Sequence, residues 1–177
     1  MKIFKLYFLT ICLSLVVLLV QAQKTYVIIS GQKSKINKNI INELPSSLKG
    51  LAAYYSAIGG TICKEGSCAL TTSLGLGKQG SAEQKNLIKK YFLDDKVAGL
   101  LISQDCYLPS DSSASYSNFK YLKFTVYGER IEVNYTLSVF DHGNTKFIKG
   151  PDIYTFQNET FKEKKRVLYG WVNKSHS

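Results

Sequence analysis

A chain of 177 residues, 45% of them hydrophobic, is long and apolar enough to bury a single core and is not composed like a disordered segment. Its formal net charge of +10 and pI of about 9.4 point toward acidic partners rather than basic ones. With 4 cysteines and 2 histidines, it offers no second ligand pair beside the C-x4-C of Cys63 and Cys68, so neither a zinc module nor any other metal site is expected.

The chain opens with Lys2 and Lys5, followed by an uncharged apolar run from Leu9 to Val20, with Val20 and Ala22 placed like the small residues before a signal-peptidase cut. The run is about 12 residues, short of the roughly 20 that span a bilayer. Residues 1–22 therefore read as a cleaved secretory signal peptide, and Cys12, inside the run rather than after it, argues against a lipoprotein cut. The "QAQ" ending resembles bacterial export signals. Loss of the two lysines leaves a net charge of +8, and no later segment is apolar enough to cross a membrane. Export to a periplasmic or secreted location makes nucleic acid an unexpected partner.

Residues 23–177 are expected to form one α+β domain. Two to three helices pack on a mainly antiparallel sheet that ends in a β-meander. The domain divides into a helical half over 23–108, a Ser-rich loop over 109–118 and the meander over 119–173. "KTYVIIS" (Lys24 to Ser30), β-branched and aromatic, predicts a strand. Ile36, Ile40 and Leu44 then recur at a helical interval, Pro45 interrupts, and Leu48, Leu51, Tyr55 and Ile58 continue a second helical stripe toward Gly59 and Gly60.

The next stretch, "SLGLGKQGSAEQKNLIKKYF", contains a G-x-G-x-x-G match at Gly75, Gly77 and Gly80. "CALTTSL" reads as a strand before it, helix 82–93 follows, and "KVAGLLIS" (Lys96 to Ser103) reads as a buried strand, which together imitate a βαβ unit. The helix cap, however, is Ser81 with Gln84 three residues on, a capping box that lies after the third glycine. A phosphate cradle needs the helix to begin inside the motif. No acid ends the following strand at the ribose-binding distance either, so the glycines are expected to shape a loop and no cofactor is expected.

Beyond the loop, "FKYLKFTVYGERIEVNYTLSVF" alternates strictly. Leu122, Phe124, Val126, Ile131, Val133, Tyr135, Leu137 and Val139 share one face around a Gly128-Glu129 hairpin turn. "DHGN" turns the chain again, and "DIYTFQ" and "RVLYGWVN" are further strands around a "KEKK" turn, with Lys162 to Arg166 as a solvated basic cluster.

Candidate chemistry is sparse. In an oxidising compartment Cys63 and Cys68 form the cheapest disulfide to close, although either can pair with Cys106 instead. A thiol enzyme would use Cys106 as nucleophile with His142 as base. The broader signal is a surface one. Tyr121 and Tyr127 fall on the outer face of the hairpin with Lys123, a combination suited to an acidic protein, a glycan or an envelope surface. The sequence thus points to an exported, non-enzymatic binding module, with a small exported enzyme that uses Cys106 or surface carboxylates as the alternative.

Overall fold

The computed structural model describes residues 23–31, 34–59, 69–77, 80–103, 116–141 and 144–167. Among these residues, five helices pack against one seven-stranded antiparallel sheet, the expected α+β arrangement. The strands are β1 (Lys24–Ser30), β2 (Lys35–Ile36), β3 (Tyr116–Tyr127), β4 (Arg130–Asp141), β5 (Asn144–Lys149), β6 (Asp152–Gln157) and β7 (Thr160–Lys165). Their order is β2-β1-β3-β4-β6-β7, with β5 also paired to β4. Strands β5 and β6 share one edge of β4, since β5 takes Thr136 to Asp141 while β6 takes Arg130 to Val133.

The helices are α1 (Lys38–Glu43), α2 (Ser46–Gly59), α3 (Ala69–Ser73), α4 (Ala82–Tyr91) and α5 (Lys96–Ser103). Helix α2 is the central one. From Leu51 to Ile58 every residue is buried, and the Tyr55 ring meets Phe119, Phe124, Tyr135 and Tyr154 of the sheet. Tyr91 and Phe92, at the end of α4, extend the layer onto Tyr154, Phe156 and Phe161. Helix α4 approaches α2 closely at Gly50, where a Cβ would run into the Tyr91 ring. All these ring contacts fall on the sheet face that carries Tyr26, Phe124, Val133 and Asp152 in one row.

The hairpin follows its sequence. Tyr127 pairs with Arg130 across Gly128-Glu129, and Gly128 has φ 58, the positive value that the first position of a type II′ turn demands. A register shift between Phe119 and Tyr121 brings Phe119 onto the same buried face as Leu122.

Several expectations are corrected. Residues 96–103 form helix α5, not a strand: Asp95 caps it, its carboxylate accepting from the Ala98 N–H at 2.9 Å. Residues 69–73 of "CALTTSL" form helix α3, so the glycine motif follows a helix. Gly75, at φ 74, is that helix's left-handed cap. Its N–H bonds to Thr72 O at 3.0 Å and the Leu76 N–H to Thr71 O at 3.2 Å, the paired bonds of a Schellman ending. Residues 35–36 pair with β1 before α1 begins at Lys38. "KEKK" lies within β7, and the turn before it is Asn158-Glu159, both residues at positive φ as a type I′ turn requires. The meander also contains β5, which the sequence pattern did not reveal, while most of "RVLYGWVN" lies outside the described residues.

Candidate binding face

Pairing register assigns the paired side chains of the described sheet to a face, because directly opposed residues point the same way. With the helices on one face, the other displays four cross-strand rows. Tyr121, Thr136 and Lys149 form the first. Val27, Lys123 and Asn134 form the second. The third runs Thr25, Thr125, Glu132, Ile153 and Lys165, and the fourth Tyr127, Arg130, Thr155 and Lys162. Phe147, opposite Ser138, is 58% exposed at the same face. These four rows therefore carry five cations, at Lys123, Arg130, Lys149, Lys162 and Lys165, against the single acid Glu132.

Tyr121, Lys123 and Tyr127, singled out by alternation alone, stand together here and are half-exposed. Arg130 lies 5.9 Å from the Tyr127 ring centroid and donates to Glu132 at 2.6 Å. The charges of this partly exposed pair offset each other, whereas Lys149, Lys162 and Lys165 are exposed. Thr155 Oγ1, between Arg130 and Lys162 in the fourth row, is buried without a hydrogen-bond partner among the described residues. Sequence reasoning missed Lys149, Lys162 and Lys165 because strand β5 was not recognised and "KEKK" was read as a turn.

The opposite side of the sheet edge has a cleft of about 400 Å³ between the α4–α5 turn and β7, lined by Leu93, Asp94, Lys96, Phe161, Glu163 and Arg166 among others. Arg166 is not solvated. A register shift opposite the Ile153–Tyr154 step in β6 puts Glu163 and Arg166 on one face, and the Arg166 side chain is 3% exposed. Its guanidinium donates to Asp95 at 2.5 Å, pairs with Glu163 at 3.1 Å, and lies 5.4 Å and 5.8 Å from the ring centroids of Tyr54 and Tyr154. Burial pushes the Glu163 carboxyl up from its ordinary value, against the pull of Arg166. The cluster ties β7 to the helical layer.

Deeper still, Asp152 is fully buried yet well satisfied. Tyr55 donates to its Oδ2 at 2.6 Å, and Tyr135 and the Val167 N–H donate to Oδ1 at 3.2 Å and 2.6 Å. Burial raises the Tyr55 and Tyr135 hydroxyls further above their ordinary values, and Asp152 adds to the effect, so both stay protonated donors.

Cys63, Cys68, Cys106 and His142 lie outside the described residues. Among the described residues, no group of three His, Cys, Asp or Glu side chains is placed to hold a metal ion, and no helix is long and apolar enough to cross a membrane. Compared with protein-family models, with curated proteins and with solved structures, the chain matches none.

Proposed function

We propose that this chain is an exported, non-enzymatic binding module that takes an anionic partner on the face of its sheet turned away from the helices. The observation that carries the reading is the composition of the four rows. Five cations oppose one acid, with Tyr121 and Tyr127 among them and Phe147 beside them. An antiparallel sheet that packs helices on one face ordinarily leaves alternating polar residues on the other. Here the polar positions are strongly of one sign, which raises the local concentration of a polyanion. The export half of the proposal rests on residues 1–22.

The test is affinity electrophoresis of the protein, expressed from its full sequence, through gels containing polygalacturonate or polyglutamate. Retardation is expected at low salt and should fade as salt rises, because exposed charges are screened beyond about 10 Å at 0.1 M. The triple variant Tyr121→Ala, Lys123→Ala, Tyr127→Ala should lose most of the retardation. Lys89→Ala with Lys90→Ala, which removes two exposed cations from helix α4, should not. Equal losses from both variants, or no retardation of the parent, would overturn the reading.

A further inference from the structure

Resting on that reading of the open face, we infer that Tyr121, Lys123, Asn134 and Thr136 form a subsite for one acidic sugar residue of a linear polyuronate. The four occupy two adjacent rows on two adjacent strands: Tyr121 opposes Thr136 and Lys123 opposes Asn134. Opposed side chains in an antiparallel pair start about 5 Å apart, and alternate residues along a strand are about 7 Å apart. The quartet thus frames an area the size of one pyranose ring.

Its chemistry matches that occupant group by group. A tyrosine ring offers an apolar platform with a polar tip, suited to the C–H face of a sugar. An ammonium is a mobile point charge that suits a carboxylate. Asn134 supplies both donors and an acceptor, and Thr136 supplies a hydroxyl, which together suit neighbouring sugar hydroxyls. All four side chains are half-exposed, and among the described residues no side-chain hydrogen bond, ion pair or ring contact engages any of them. They contrast with Glu132 in the next row and Arg130 in the one beyond, which bond to each other. Lys149 ends the Tyr121 row and Val27 starts the Lys123 row, so a second cation and an apolar edge flank the quartet.

An acidic peptide would use the lysines but has no ring to lay on Tyr121. An anionic bilayer would favour a continuous apolar patch, whereas among the described residues Phe147 is the one large hydrophobic side chain prominently exposed on this face. Charge and hydroxyl recognition side by side favour the glycan.

The decisive experiment compares galacturonate oligomers, polyglutamate of equal charge and phosphatidylglycerol vesicles by titration calorimetry and sedimentation. The oligomer is expected to bind about tenfold tighter than polyglutamate, a difference of about 1.4 kcal/mol. Tyr121→Ala and Asn134→Ala should each weaken the oligomer severalfold and leave polyglutamate within twofold, while Lys123→Ala weakens both. Tyr121→Phe, which keeps the ring, should retain the affinity, and Thr136→Val, similar in shape, should lose part of it even if the alanine variants fold poorly. If polyglutamate binds equally and the Tyr121 and Asn134 variants move neither ligand, the sugar subsite is wrong although the anion-binding face stands. If vesicles bind and the oligomer does not, the subsite is again wrong. If nothing anionic binds, both proposals fall.

Discussion

Tyr55, at the centre of helix α2, donates its hydroxyl proton to Asp152 at the start of strand β6, across 2.6 Å and 97 positions of sequence. The direction of this bond fixes the rest of a buried chain. Because Tyr55 gives its proton to Asp152, the 3.2 Å contact between the Tyr55 and Tyr154 hydroxyls has Tyr154 as donor, and the Arg166 guanidinium lies 5.8 Å from the Tyr154 ring centroid. Two phenols thus lie in line between the Arg166 guanidinium and Asp152, each hydroxyl polarising the next. Tyr55→Phe removes the shortest link, leaving Asp152 Oδ2 without that donor. We expect a loss of about 1–3 kcal/mol, the usual result of stranding a buried acceptor. Equilibrium urea unfolding measures it, and an unchanged midpoint would contradict the relay.

Arg166 is the other end of that chain and the anchor of β7. Its side chain is 3% exposed and that of Asp95 is 11% exposed, so neither charge has water to fall back on. Removing one partner of such a pair costs about 3–5 kcal/mol because the other is left buried and uncompensated. Arg166→Met is therefore expected to cost in that range. Asp95→Asn is expected to cost less, since the amide oxygen can still cap α5 at Ala98 while the charge is lost. A double-mutant cycle between the two sites should show coupling well above zero, and strict additivity would show that the ion pair contributes nothing.

How much of this could be read in advance depends on periodicity. Strands β3 and β4 were legible because one face is buried and the other is not, so Leu122, Phe124, Val133 and Tyr135 alternate with polar neighbours. Helix α4 was legible through its cap. Ser81 accepts from the Gln84 N–H at 3.2 Å, although Gln84 Oε1 reaches back to Gly80 rather than to the cap itself. Helix α5 was not, because "KVAGLLIS" is a mostly apolar run of eight residues, short enough to read equally as a buried strand; Asp95 at its N-terminus was a local sign of the helix. Of the binding face, Tyr121, Lys123 and Tyr127 followed from alternation within one hairpin. Lys149, Lys162 and Lys165 joined them only through long-range pairing that no local window contains. Arg166 was hidden for a related reason. A register shift placed one member of a basic run inside the molecule, and nothing in "KEKKR" distinguishes it.

Glu163 gives the molecule a pH dependence with a definite sign. Burial raises its carboxyl above the ordinary 4.5, outweighing the opposing pull of Arg166. A group whose folded value is raised binds its proton more tightly in the native state than in the unfolded one. Its contribution to stability is therefore present in full below the unfolded value and is lost as pH climbs through the folded value. Between neutral pH and about 4.5, acidification should shift Glu163 toward the protonated form that the fold prefers. Glu163→Gln cannot titrate, so the parent should gain stability relative to this variant as pH falls across that window. The size of the effect is held down by solvent, since the side chain is 39% exposed. Thermal midpoints of parent and variant, measured at matched ionic strength, make the comparison. A difference that is flat across the window would remove Glu163 from the account, and one that grows with rising pH would show instead that its pairing with Arg166 outweighs its burial.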